Sequence, residues 1–122
     1  MIREASRQEI DDLLSSRGIT HEGAIGCQCY VVEQGPYRML LTVTPLDSER
    51  CEVHIACPKE FVVRSRKLCL DAFEWLASKG WLFCYTAVSK NRHKTAHNLA
   101  LRVGFKNVGC YNGYTVYERS LL

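Results

Sequence analysis

"CEVHIACPKEFVVRSRKLCLDAFEWLASKGWLFCYTAV", residues 51–88, is the stretch that decides the fold. Cys51–Cys57 has strand length and is closed by Pro58. From Arg64 to Lys79 the apolar residues Leu68, Ala72, Phe73, Trp75 and Leu76 recur at helical spacing, and Gly80 is a stop signal. Trp81–Val88 is then a strongly apolar strand. Strand, helix, strand is a βαβ unit, so the two strands should be parallel near neighbours with a right-handed crossover.

The helix in this unit opens on Arg64, Arg66 and Lys67. A helix N-terminus already carries roughly half a positive charge, so cations there are locally unfavourable. Exposed side chains escape much of that cost through water and salt. An anion with several phosphates would reverse its sign, because free N–H groups at a helix start bind phosphate. A second basic cluster, Lys90, Arg92, His93 and Lys94, precedes the next helix. Two basic helix starts at one sheet edge point to a polyphosphate-bearing ligand where open α/β sheets bind ligands.

Working outward, Ile2–Ala5 reads as a short strand. Ser6-x-x-Glu9 is a capping box, followed by Ile10, Leu13 and Leu14 at helical spacing and ended by Gly18. Strands Cys27–Glu33 and Tyr37–Thr44 flank the turn Gln34-Gly35-Pro36. After residue 88 comes a helix from His93 to Val103, with Ala96, Leu99, Ala100 and Val103 buried and Gly104 as its C-cap. Phe105–Cys110 and Tyr114–Arg119 form a hairpin about Asn112-Gly113. The order β-α-β-β-β-α-β-α-β-β predicts an α/β fold, a mixed sheet with a parallel step in its middle. At 122 residues the chain should form one domain, residues 1–122.

Seven cysteines, an odd number with no C-x-x-C pair, read as small core residues in a reducing compartment. The opening residues are charged and no run of about 18 apolar residues exists, so neither a signal peptide nor a membrane span is expected. The expected location is the cytoplasm. A net charge of +3 does not by itself suggest nucleic acid. Lys90, Arg92, His93 and Lys94 with Tyr85 or Trp81 could line a single-strand groove, but the strand carrying those aromatics should be buried. His93 and His97 have zinc spacing, yet no Glu follows His93 and no third ligand is evident; they read as surface histidines, and no metal is expected.

Several segments resemble the GCN5-related N-acetyltransferase (GNAT) family. They are Ile2-Arg3-x-Ala5-x-x-x-Glu9-Ile10 and Ala96-x-x-Leu99-x-x-x-Val103-Gly104-Phe105, followed by Val108-Gly109, with Arg64–Cys69 where the pyrophosphate loop belongs. The resemblance implies acetyl-CoA as cofactor and an amine acceptor of unspecified identity. Backbone groups of Ile55, Ala56 and Cys57 would pair with pantetheine. The segment Arg64, Arg66, Lys67, Leu68 and Cys69 would hold the pyrophosphate, with Asn91 beside the cofactor arm. Lys67 and Cys69 stand where the family has small residues, and Ala100 stands where many members have a proton-donating Tyr.

Acyl transfer to an amine needs a base and an acid. Glu52 and His54 share one face of their strand and are the candidate base; the alternative is that they are only a structural pair. For the acid, Tyr85, Tyr111, Tyr114 and Tyr117 are available, with Tyr117 on the last hairpin the candidate and ordinary aromatic packing the alternative. Cys57 would be a nucleophile only with a lowered pKa. The chain's size and its segments EWLASKGW and RVGFKNVG also resemble small GNAT-like proteins of tailed-bacteriophage structural gene clusters. That implies a different role: a non-catalytic head-assembly or virion protein, associated with the virion, with phage structural proteins as partners. Its cleft would be filled by large side chains such as Phe61 and Trp81.

Overall fold

A computed structural model describes residues 1–18, 26–92 and 94–122. Strand β1 (Ile2–Glu4) leads to helix α1 (Arg7–Ser15), then to β2 (Gln28–Gln34), β3 (Tyr37–Pro45) and β4 (Arg50–Ala56). A 3-10 segment (Lys59–Arg64) runs into α2 (Ser65–Ser78). Then follow β5 (Phe83–Ser89), α3 (Lys94–Arg102), β6 (Lys106–Tyr111) and β7 (Tyr114–Ser120). The strands form one mixed sheet in the order β1-β2-β3-β4-β5-β7-β6, and only β4 and β5 pair in parallel.

Local chemistry sets the element ends. Ser6 accepts from the Glu9 N–H while the Glu9 side chain accepts from the Ser6 N–H, a complete capping box. Asn112 (φ 48°) and Gly113 (φ 82°) both have positive φ, as a two-residue hairpin between twisted strands requires. The expected strand from Trp81 starts two residues later, at Phe83. The reason is a Schellman closure of α2: the Gly80 N–H bonds Ala77 O and the Trp81 N–H bonds Leu76 O. Trp81 thus belongs to the end of the helix.

Strand alternation gives the sheet two faces. On one, α2 and α3 cover Val53, Cys84 and Tyr117 with Leu68, Phe73, Leu76, Ala100 and Val103. On the other, α1 covers Val31, Leu40 and Ala56 with Leu13 and Leu14. Among the described elements, no helix covers β5 and β7 on the α1 face. That explains why most of β5 is half-buried where full burial was expected, with only Cys84 inaccessible. Cys51, Cys57, Cys69 and Cys84 are buried, Cys110 is exposed, and all seven thiols are free. No helix among the described residues is long and apolar enough to cross a membrane.

Candidate functional site

The site begins where the parallel ladder stops. Arg50, Cys51 and Glu52 are in register with Phe83, Cys84 and Tyr85, and there the pairing ends. β4 nevertheless continues to Ala56 and β5 to Ser89. The Leu46 N–H bonds Arg50 O, so even-numbered residues of β4 turn their backbone groups toward β3 and odd-numbered ones toward β5. Likewise the Lys90 N–H bonds Gly113 O and the Leu121 N–H bonds Leu82 O, so even-numbered residues of β5 face β7 and odd-numbered ones face β4. Beyond the short ladder, Ile55 on β4 and Ala87 on β5 therefore present backbone donors and acceptors across a widening gap. Such groups need partners. An extended ligand with amides of its own would supply them.

Of the three residues expected to line this gap, Ile55 does so and Cys57 is the first residue beyond the end of β4. Ala56 does not, because its backbone is in register with Leu40 of β3 and its side chain packs in the α1 core. Burial pushes the Cys57 thiol up to about 11, Cys69 up to about 12 and Cys84 up to about 12. A thiol held that high is not a nucleophile near neutral pH.

At the start of α2, the Ser65 N–H and Oγ both bond Val62 O, and no side chain caps the helix. The Arg64 guanidinium sits 5.1 Å from the centre of the Tyr37 ring, which fixes it beside the helix start. Arg66 and Lys67 are exposed, and no ion pair joins Arg64, Arg66 or Lys67 to a described residue. Leu68 and Cys69 are buried in the core. Of the two positions that depart from small residues, Cys69 is turned inward and only Lys67 stands at the surface. Asn91 is exposed in the turn after β5, its N–H bonded to Ser89 Oγ.

Glu52 and His54 form a pair on the α1 face, Oε1 to Nε2 at 2.8 Å, both partly exposed. Tyr117 is 4% exposed, on the other face. Its hydroxyl lies 2.8 Å from His97 Nδ1, and His97 Nε2 lies 3.0 Å from Ser89 O. A carbonyl only accepts, so Nε2 carries a proton. In the neutral imidazole, Nδ1 must then accept the Tyr117 proton. In the imidazolium, Nδ1 donates and the Tyr117 proton is free for another acceptor. Reading His97 as a surface residue missed this bridge; His93, its expected companion, lies outside the described residues. The signal was present, since His97 precedes the buried Ala100 by three residues on one helix face.

On the α1 face the gap opens into a groove of about 330 Å3, bounded by Leu46, Glu52, Tyr85, Ala87, Tyr114 and Val116. Tyr85 donates to Glu118 Oε2 at 2.6 Å, which raises the phenol pKa and ties up that carboxylate. A larger hollow of about 420 Å3, between Tyr30, Trp75 and Trp81, lies at the β1–β2 edge and touches none of these residues. Size alone does not mark the site; the open backbone edges do.

The sheet, its single parallel step and its flanking helices define the GNAT fold. The chain is similar to a spermidine N-acetyltransferase SpeG F149A mutant from Vibrio cholerae, at 15% identity and a TM-score of 0.75, covering 99% of this chain and 95% of that one. It is similar to an aminoglycoside 6'-acetyltransferase type Ii at 14% identity and a TM-score of 0.75, covering 100% and 97%. It is also similar to an IAA acetyltransferase from Bacillus cereus ATCC 14579, at 16% identity and a TM-score of 0.75, covering 98% of both chains. At these identities the likeness is one of fold. No protein-family model and no curated protein matches the sequence.

Proposed function

We propose that this chain is an acyl-CoA-dependent N-acyltransferase with acetyl-CoA as donor and a small amine as acceptor. The observation that carries the reading is the three-residue ladder between β4 and β5, which leaves Ile55 and Ala87 with open backbone edges. Pantetheine, with two amides in an extended chain, fits that gap. Arg64, Arg66 and Lys67 would hold the pyrophosphate, Arg64 already placed by Tyr37, and Asn91 would flank the arm. Leu68 and Cys69 would contribute backbone only. When bound, the cofactor supplies an acetyl thioester.

The chain's own groups move the protons. Glu52, oriented by His54, takes a proton from the acceptor ammonium, directly or through water, so that the free amine can attack. Tyr117 supplies a proton to the departing sulfur in the imidazolium form of His97, in which Nδ1 donates to the phenol oxygen. The two groups approach the gap from opposite faces of the sheet. Seven free thiols suit a reducing cytoplasm, where acyl-CoA is available.

The competing reading, a non-catalytic phage virion module, needs a filled gap. Phe61 instead stacks edge-on with Tyr37 (centroids 5.7 Å apart), and Trp81 closes α2. That favours the enzyme.

The test is thermal unfolding with and without millimolar acetyl-CoA. A ligand at about 100 times its Kd stabilises by about 2.7 kcal/mol, a shift of several degrees at this size. The shift should vanish in Arg64→Glu/Arg66→Glu. No shift in the wild-type chain would overturn the proposal.

A further inference from the structure

Among the described residues that line the groove on the α1 face, one side chain is a carboxylate able to meet a cation, and apart from Thr86 the others are aromatic or aliphatic. Glu52 stands at the end nearest the gap, with Oε1 bonded to His54. Glu118, the nearby second carboxylate, is occupied by Tyr85 and lies 3.9 Å from Lys106 Nζ. From Phe83 to Tyr117 the sequence holds no Asp or Glu at all. The rest of the described wall is Leu46, Thr86, Ala87, Val116 and the phenol rings of Tyr85, Tyr111 and Tyr114. Tyr111 and Tyr114 are 71% and 49% exposed, side by side across the Asn112-Gly113 turn. A volume of about 330 Å3 suits a small molecule rather than a folded partner.

We infer that the acceptor is a monoamine with an aromatic or aliphatic body, bound with its ammonium at Glu52 and its apolar end against Tyr114, Tyr111 and Val116. The inference rests on the acyltransferase reading and adds the substrate class. A second cationic centre, as in a polyamine, would find no second carboxylate among the groove's described residues and would lose its hydration against apolar walls. A single ammonium pairs with Glu52, and the aromatic walls add cation–π attraction and apolar contact. With the ammonium there, its proton has a short path to Glu52. Loss of that proton leaves a neutral amine beside the gap where the thioester would lie. The new amide N–C bond forms as the thioester C–S bond breaks. The sulfur would leave with the electron pair and take a proton from Tyr117, and the attacking nitrogen would shed its second proton through water, which restores the phenol.

The experiment titrates the full-length, isotope-labelled protein, observed by backbone-amide NMR, with acetyl-CoA, 2-phenylethylamine and spermidine. Expected is that 2-phenylethylamine, with or without acetyl-CoA, moves the amide signals of Ala87, Tyr114 and Val116 and binds at least tenfold tighter than spermidine. Tyr114→Ser, at a half-exposed site beside the turn, should weaken 2-phenylethylamine at least fivefold. Glu52→Gln should weaken it by a similar factor. If acetyl-CoA binds but 2-phenylethylamine does not, or spermidine binds as tightly, the substrate class is wrong and the acyltransferase reading stands. If acetyl-CoA does not bind, that reading fails on its own terms. Concentration-dependent shifts of Tyr111 and Tyr114 without any amine would mean a second copy of the chain covers the groove, which also overturns the inference.

Discussion

His97→Leu should destabilise the protein, and adding Tyr117→Phe to it should cost nothing further. Tyr117 is 4% exposed and its hydroxyl is bonded to His97 Nδ1 at 2.8 Å. Replacing His97 with Leu strands that hydroxyl where water does not reach, which costs about 1–3 kcal/mol. The other bond lost, to Ser89 O, matters less, because that carbonyl keeps the Arg92 N–H at 2.9 Å. Leu is also a good helix former. The expected loss is therefore about 2 kcal/mol. Tyr117→Phe alone leaves Nδ1 without a partner, but His97 is only half-buried and water can reach it, so about 1 kcal/mol is expected. The double variant has no stranded polar group. It should lose less than the sum of the singles, with a coupling of about 1–1.5 kcal/mol. Urea denaturation followed by tryptophan fluorescence would read the cycle, with thermal midpoints moving about 4 °C per kcal/mol. Additivity within about 0.3 kcal/mol would mean that the Tyr117–His97 bond contributes nothing, and the inferred proton positions would fall with it.

Three further outcomes follow from other contacts. Arg3 bonds both Glu9 and Glu33, and it holds the Glu9 carboxyl down to about 2. A depressed carboxyl pKa contributes stability above the ordinary carboxylate value that is lost as pH falls toward 2, so Arg3→Ala should flatten the acid limb of stability between about pH 5 and 2 in acid titrations. Iodoacetamide at pH 8 should label exposed Cys110 first and leave Cys57, Cys69 and Cys84 unmodified in the native state, as peptide mapping by mass spectrometry would record. Gly104 has φ +97°, and a Cβ there would lie 3.0 Å from Arg119 Nε, which donates to Val103 O and stacks on Phe73. Gly104→Ala should cost about 2 kcal/mol, and Arg119→Ala should not restore it, because the backbone strain remains.

Much of the fold was legible because its signals are local. The capping box at Ser6, the Asn112-Gly113 turn and the stripe of α2 each depend on residues a few positions apart. The inward turn of Cys69 was legible too, since it shares spacing with Ala72, Phe73 and Leu76. The displaced start of β5 was not, because an apolar run does not reveal that Trp81 is closing a helix. The gap between β4 and β5 is the least local feature of all. Nothing within 51–57 or 81–88 marks the residue at which pairing stops. It depends on β5 following β7 over its whole length while β4 follows β3, with sheet twist carrying the two pairs apart.

The absence of a tyrosine at position 100 has a related explanation on the proposed chemistry. Ala100 lies on the buried face of α3, where a ring would have to displace the core that includes Val103 and Phe105. The phenol comes instead from the sheet: Tyr117 rises from β7, beside Thr86 of β5, and meets the helix through His97. Strand alternation then puts Glu118, the next residue, on the opposite face, where it fixes Tyr85 beside the groove. On that proposal, two consecutive residues of β7 would serve the two sides of one gap, Tyr117 toward the departing sulfur and Glu118, through Tyr85, toward the acceptor. A one-residue slip of β7 against β5 would exchange both roles at once and put each side chain on the wrong face. The full-length β5–β7 ladder, from Phe83–Ser120 to Ser89–Tyr114, is what prevents that slip, so this pairing is also the one on which the proposed chemistry would depend.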